Sequence, residues 1–126
     1  GEYAKTISYY EKSLEIHQQI RSPNDTNLGF SYNNIGIMYD NMGEYAKALS
    51  YYEKSLEISQ KSRPPNHPDL SETYDNMGST YENMGNYSKA RSSYEKAVSI
   101  AEKSLQKNHP DLQKWKRDLE RIRNKI

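Results

Sequence analysis

The chain has 126 residues, of which 33% are hydrophobic and 28% are charged. It contains no cysteine, which excludes a disulfide framework, a thiolate nucleophile and a cysteine-type zinc site. The 18 basic and 17 acidic residues nearly cancel, so composition gives no overall attraction to nucleic acid or anionic membranes. No apolar run approaches the roughly 18 residues of a membrane span and no signal-peptide pattern is present, so we expect a cytoplasmic protein.

The sequence repeats itself with a period of 42 residues. Residues 1–42 and 43–84 are identical at 25 of 42 positions, and residues 43–70 match residues 85–112 at 16 of 28. The match ends after Leu112. All twelve tyrosines fall in repeated columns, which indicates packing roles, because stacked units bury the same position in each unit. A period of this size predicts stacked supersecondary units.

Apolar residues at helical spacing predict six helices in chain order. In the second of them, Tyr32, Ile35 and Tyr39 share one face. Gly43 and Gly85 stand where the second and fourth helices are expected to end in a left-handed residue. Short connections favour antiparallel neighbours, so we expect helix hairpins. The predicted helices span residues 2–21, 28–42, 45–62, 70–84, 87–106 and 111–125.

The run 32–58 resembles a tetratricopeptide repeat (TPR), because its aromatic, glycine and alanine residues fall at that family's signature spacings. Gly36 and Ala48, which recur 42 residues later, are the small residues that let the two helices of a hairpin approach closely. The period and the NHPDL linker resemble the kinesin light chain subtype. The resemblance implies an all-α fold, a right-handed α-solenoid of antiparallel helix hairpins with about six helices.

We expect one TPR-like domain over residues 1–126, made of repeat units 1–42, 43–84 and 85–126. Residues 111–126 depart from the repeat and are predicted to form a C-terminal capping helix, which solenoids need for solubility. At helical spacing its apolar residues form one stripe that can dock on the preceding hairpin. The stripe consists of Leu112, Trp115, Leu119, Ile122 and Ile126.

The sequence carries no motif of an enzyme. It has no phosphate-binding loop, dinucleotide fingerprint, HExxH zinc motif or nucleophile elbow. His67 and His109 stand beside prolines in equivalent linkers, which favours turn or capping roles over metal binding. We therefore predict a protein with no catalytic residue, no metal and no cofactor.

The resemblance implies a concave groove, lined by the first helix of each hairpin, that binds a protein or an extended peptide. Asn34 and Asn76 occupy the column where peptide-binding members of the family place an asparagine that hydrogen-bonds the ligand backbone. An amide suits this task because it supplies a donor and an acceptor. The predicted groove residues are Asn33, Asn34, Ile37, Asn41, Asp75, Asn76, Ser79, Asn83, Arg117 and Arg121.

Charge is unevenly distributed along the chain. Residues 1–112 carry 12 basic and 15 acidic groups, a net charge of −3, and residues 113–126 carry 6 and 2, a net charge of +4. One hypothesis is that Arg117 and Arg121 hold acidic groups of the partner. The other is that basic residues of the capping helix only form ion pairs with Glu72 and Asp75. We do not expect nucleic acid as a partner, because this helix lacks interleaved exposed aromatics.

An alternative function is structural self-assembly. The chain opens on the second helix of a hairpin, so no partner helix is expected to cover Tyr3, Tyr10 and Leu14. A homodimer or a swapped oligomer formed through this first helix would cover them. The sequence leaves the binding scaffold and the assembly unit open as two hypotheses.

Overall fold

The structure is a computed structural model that describes residues 2–20, 26–62 and 67–125, with side chains except at positions 10, 13–20, 26–28 and 62. These residues form six helices and no strand, which confirms the all-α helical repeat fold. The helices are α1 (Glu2–Ile20), α2 (Thr26–Asn41), α3 (Tyr45–Ser62), α4 (Pro68–Asn83), α5 (Tyr87–Ser104) and α6 (Pro110–Arg123).

The chain divides into two compact units, Gly1–Ser62 and Arg63–Ile126. In the first unit, α2 packs against both α1 and α3. In the second, α4 packs against α5, and α6 contacts both of them. The single domain predicted over residues 1–126 stays a prediction.

Two glycines bring the helices of each hairpin into close contact, as the sequence predicts. A Cβ atom on Gly36 of α2 would lie 2.6 Å from the ring of Tyr52, and one on Gly78 of α4 would lie 2.7 Å from the ring of Tyr94. Both rings are 1% exposed. Side chains larger than hydrogen at these two positions would displace the rings, so the glycines set the distance between the helices.

The helices of each hairpin are antiparallel. Position 29 of α2 lies beside Ile58 and Ser59 of α3, whereas Gly36, further along α2, lies beside the earlier residue Tyr52. Glycine also ends the first helix of each hairpin, because Gly43 and Gly85 both have φ of +80°, a backbone conformation that other residues rarely adopt.

A buried serine hydroxyl links the helices of each hairpin, and the two repeats place it on opposite helices. In the first unit, Ser55 of α3 donates to the carbonyl of Gly29 in α2 at 2.8 Å. In the second unit, Ser71 of α4 donates to the carbonyl of Ala97 in α5, also at 2.8 Å. Ser71 is the counterpart of Gly29, and Ala97 of Ser55, so each hairpin has one serine at this contact and a smaller residue facing it.

Histidine caps open two helices of the second unit. The Nδ1 atom of His67 accepts from the amide of Asp69 at 3.2 Å, and Nδ1 of His109 accepts from the amide of Asp111 at 3.1 Å. Each histidine precedes a proline at the start of its helix. This geometry confirms the capping role, and it starts the two helices at Pro68 and Pro110, two residues and one residue before the predicted starts.

Helix α6 docks through the apolar stripe predicted for a capping helix. Leu112, Trp115, Leu119 and Ile122 are 0–6% exposed and form one core cluster with residues of α5. Ile126, the last member of the predicted stripe, lies outside the described residues. Since Glu120 and Arg123 on the same helix are exposed, α6 has an apolar and a polar face. No described helix combines the length and the apolar character that crossing a bilayer requires.

Candidate functional site

The predicted groove residues of α2 are Asn33, Asn34, Ile37 and Asn41, and only part of this set forms an exposed strip. Asn34 and Asn41 are exposed, and Ile37 is half-buried. Asn33, in contrast, is 8% exposed. The prediction that Asn33 faces outward into the groove is therefore wrong. Two helices, α1 and α3, pack against α2 and leave less of its surface exposed.

The equivalent strip of α4 carries Asn76 and Ser79, both half-buried, and Asn83, which is exposed. These residues stand one repeat after Asn34, Ile37 and Asn41. The register predicted from the 42-residue period therefore presents amide side chains at the same helix positions in both units. Their role in binding a ligand stays a prediction.

Asp75 was predicted to face the groove, but it is 4% exposed. Its Oδ2 atom lies 3.4 Å from Nζ of Lys114 in α6, and its buried Oδ1 atom has no hydrogen-bond partner among the described residues. Burial and the neighbouring Asp118 raise the pKa of Asp75 well above its usual range, although Lys114 opposes this shift. The prediction of an outward-facing Asp75 fails because α6 packs along α4 at this point.

Arg121 is held by an ion-pair network between α6 and α4. Its Nη2 atom lies 2.8 Å from Oε1 of Glu82, and its Nη1 atom lies 2.8 Å from Asp118 in α6. Lys125 adds a pair with Glu82 at 2.9 Å, and the Tyr94 hydroxyl donates to the same carboxylate at 2.9 Å. The hydrogen bond from Arg121 is the main reason that the pKa of Glu82 falls to about 2.

Of the two hypotheses for the basic helix, ion pairing therefore describes Arg121 and Lys114. The predicted anions were Glu72 and Asp75, and the observed ones are Asp75 for Lys114 and Glu82 for Arg121. The register between α4 and α6 decides which anion each cation reaches, and the sequence did not fix that register.

Arg117 differs from the other two cations. Its side chain is exposed, and it forms no ion pair with any described residue. It is the predicted groove cation that stays available for an acidic group.

The first helix exposes aromatic rings. Tyr3 of α1 is 47% exposed and Tyr9 is 70% exposed. The side chains of Tyr10 and Leu14, predicted to share this uncovered face, lie outside the described part of the structure. Exposed rings of this size supply apolar area for a partner, because aromatic side chains contribute strongly to interfaces.

Within the described residues, no three histidine or acidic side chains come close enough together to hold a metal ion.

The sequence did not predict a gap between α4 and α5, which is lined by Tyr74 and Tyr81 among others. Comparing repeat columns could have found this gap, since Tyr51 of one repeat is Ser93 in the next.

Comparisons with known proteins agree with this geometry. The sequence model of the tetratricopeptide repeat family matches residues 1–61 and 32–103. No curated protein matches the chain. Solved structures that are similar to it in fold include the following three.

BtubC (BKLC) from P. vanneervenii has 20% identity and a TM-score of 0.89, over 98% of this chain and 50% of that chain. A kinesin light chain-like protein of Podosopora anserina with nearly identical TPR-like repeats has 19% identity and a TM-score of 0.77, over 98% of this chain and 59% of that chain. The Sgt2 TPR domain from Aspergillus fumigatus has 23% identity and a TM-score of 0.70, over 99% of this chain and 68% of that chain.

The chain spans only 50% and 59% of the first two of these structures. Their identities show the fold and leave partners to be argued separately. The family match extends over more than half of the chain, and it coincides with the repeated hairpins, the close Gly36–Tyr52 contact and its Gly78–Tyr94 counterpart. The chain belongs to the tetratricopeptide repeat family.

Proposed function

We propose that this protein is a non-catalytic scaffold that binds a protein or an extended peptide through the exposed strips of α2 and α4. The observation that carries the proposal is the repetition of the amide columns. Asn34 and Asn41 of α2 are exposed, and Asn76 and Asn83 stand at the same positions of α4. The backbone of an extended peptide presents donors and acceptors, and an asparagine amide supplies an acceptor and a donor to pair with them.

The exposed side chain of Arg117 supports a ligand that carries acidic groups. Lys114 and Arg121 already pair with carboxylates of α4, whereas Arg117 is exposed without an ion pair among the described residues. A guanidinium that is not engaged within the protein can form a bidentate contact with a carboxylate. Acidic side chains near one end of the peptide would therefore strengthen binding.

A displayed library of random peptides tests this proposal. Peptides selected on the parental protein are measured against N34A, N76A and the double variant. Because one net hydrogen bond is worth about 0.5–1.5 kcal/mol, we expect each substitution to weaken binding by about 2- to 12-fold. The matched control is N108A, which removes an exposed amide from a linker.

The proposal is contradicted if the library yields no binder, or if the double variant binds every selected peptide as tightly as the parental protein does. For the acidic feature, R117A is compared with K116A on peptides with and without acidic residues. A loss of affinity confined to R117A and to acidic peptides supports it. Equal loss for both variants, or for neutral peptides, argues against it.

A second candidate function is self-assembly through α1, which the exposure of Tyr3 and Tyr9 favours. Light scattering over a range of protein concentrations separates the two candidates. A mass that rises with concentration and returns to the monomer value in a Y3S/Y9S variant supports assembly. A monomer at every concentration rejects it and leaves peptide binding as the remaining candidate.

A further inference from the structure

A notch opens at the surface of the second unit between α4 and α5. Its cavity volume is about 200 Å³. This is below the roughly 300 Å³ at which pockets for drug-sized ligands begin, so it suits a single side chain. Two tyrosines and a methionine supply its apolar lining, and two lysines stand at its edge. The lining residues used below are Tyr74, Met77, Tyr81, Lys89, Ser93 and Lys96.

The first unit shows what the same place looks like when it is filled. One repeat earlier, the counterparts are nearly identical: Tyr32, Ile35, Tyr39, Lys47, Tyr51 and Lys54. Tyr51 is the one that changes in size, since its counterpart is Ser93. Its ring stacks on the ring of Tyr39, with centroids 5.5 Å apart and an interplanar angle of 17°, and lies 6.0 Å from the ring of Tyr32.

Cations complete the filled site. Nζ of Lys54 lies 4.9 Å from the centroid of the Tyr51 ring and 5.7 Å from that of Tyr32. Nζ of Lys47 lies 5.4 Å from the centroid of Tyr39. All three distances are within the range in which an ammonium is attracted to a ring face. The protein thus uses these residues to hold a tyrosine ring.

The second unit keeps the receiving parts and lacks the ring. Nζ of Lys96 lies 5.3 Å from the centroid of Tyr74, and Nζ of Lys89 lies 5.7 Å from that of Tyr81. Ser93, which is 7% exposed, is too short to reach between them. The site therefore has the two aromatic walls and the two ammonium groups of its filled counterpart, with a cavity where the third ring would be.

We propose that this notch binds an aromatic side chain, a tyrosine ring, presented by a protein partner. The chain's own Tyr51 identifies the occupant, because it shows which group the same set of side chains accommodates. An aromatic ring is favoured over an aliphatic group, since stacking on tyrosine and contact with ammonium groups both depend on a π face. Met77 replaces Ile35 and can adapt its flexible side chain to the occupant.

The inference rests on the proposed function only in that the occupant comes from a protein. The notch involves none of the amides assigned to peptide binding. Small probes can therefore test it while the function of the α2 and α4 strips is tested separately.

The test titrates the protein with N-acetyl-tyrosinamide and follows the methionine methyl groups by NMR. The chain has only four methionines, so the spectrum is simple to assign. We expect a ring-current shift of the Met77 methyl, with a dissociation constant on the order of 1 mM, as befits a ligand of this size. N-acetyl-leucinamide has no ring to cause such a shift, so its affinity is measured by competition with N-acetyl-tyrosinamide and should be several-fold weaker.

Three variants test whether the probe binds in the notch. S93Y restores the filled arrangement of the first unit, so it should abolish the shift of Met77 and raise the melting temperature. S93A, the matched control, removes the hydroxyl without filling the cavity and should keep the shift. Y51S should open the equivalent notch and make the methyl of Met38, which packs against that cluster, respond to the probe.

The inference is overturned if S93Y folds and still binds the probe at Met77, or if leucinamide binds as tightly as tyrosinamide. If Y51S does not fold, the comparison of S93Y with S93A still tests whether the notch binds the ring. Peptides selected on the α2 and α4 strips should bind S93Y normally, so loss of the notch and loss of the proposed function give different results.

Discussion

Two glycines decide how closely the helices of each hairpin approach. A Cβ atom on Gly36 or Gly78 would fall within 2.7 Å of a ring that is 1% exposed, far inside normal contact distance. Gly29, on the same helix as Gly36, has its nearest neighbour at 3.5 Å, an ordinary contact. The chain therefore contains both the test position and its control.

We predict that G36A and G78A each destabilise the protein. Overpacking costs about 1–3 kcal/mol, and the better helix propensity of alanine returns about 1 kcal/mol. G29A should be neutral or stabilising, because only the propensity gain applies. Urea unfolding of the three variants checks this, and a G36A protein that is as stable as G29A would contradict the packing account.

The serine contact gives a second prediction for single residues. Because the Ser55 hydroxyl is buried and donates to the Gly29 carbonyl, S55A should cost about 1 kcal/mol of unfolding free energy. The double variant G29S/S55A copies the arrangement of the second unit, where Ser71 donates from the opposite helix. It should recover most of that loss. A double variant no better than S55A in thermal unfolding would show that the two serines are not equivalent.

Helix α6 docks through its apolar stripe, and its basic side chains pair with two carboxylates of α4, Asp75 and Glu82, whose pKa values are shifted in opposite directions. The only tryptophan of the chain, Trp115, is 4% exposed at the docked face of α6, so its fluorescence reports the docking of this helix. The docking can thus be followed separately from total helix content.

We expect D75N to stabilise α6 at neutral to alkaline pH. Because the pKa of Asp75 is raised in the folded protein, its contribution is present below the unfolded pKa and is lost as pH rises through the folded pKa. An asparagine mimics the protonated carboxyl and can donate to Asp118. At pH 8 the gain should be on the order of 1 kcal/mol, the cost of an unsatisfied buried oxygen, and it should shrink toward pH 4. Unfolding followed by Trp115 fluorescence measures it, and a gain that is constant with pH would contradict the assignment.

Glu82 should behave in the opposite way. Its pKa is lowered to about 2, so its contribution is present above the unfolded value of 4.5 and is lost as pH falls through about 2. E82Q should destabilise the protein at pH 7 by about 1–2 kcal/mol, a range reduced because Arg121 is partly exposed. The difference from the parental protein should narrow as pH falls below about 4.5 and should be largely gone near pH 2. The matched control is E120Q on the exposed face of α6, which should leave the stability at pH 7 nearly unchanged.

For the complete fold, the 42-residue repeat explains how much of the structure could be predicted from the sequence. The 42-residue columns predicted the glycine contacts, which recur, and helical spacing predicted the six helices and the apolar stripe of α6. The burial of Asn33 and Asp75 and the pairing of Arg121 with Glu82 depend on neighbouring helices and their register. The residues at one position of the repeat do not show which residues of a neighbouring helix they will contact.

If the proposed function is right, the amide columns of α2 and α4 contact the ligand. The most direct measurement is an NMR titration of the parental protein with a selected peptide, following the side-chain amide signals of its asparagines. We predict that the signals of Asn34 and Asn76 shift together with one dissociation constant, while that of Asn108 does not move. Saturable binding that leaves Asn34 and Asn76 unchanged and shifts only residues of α1, α5 or α6 would contradict the claim.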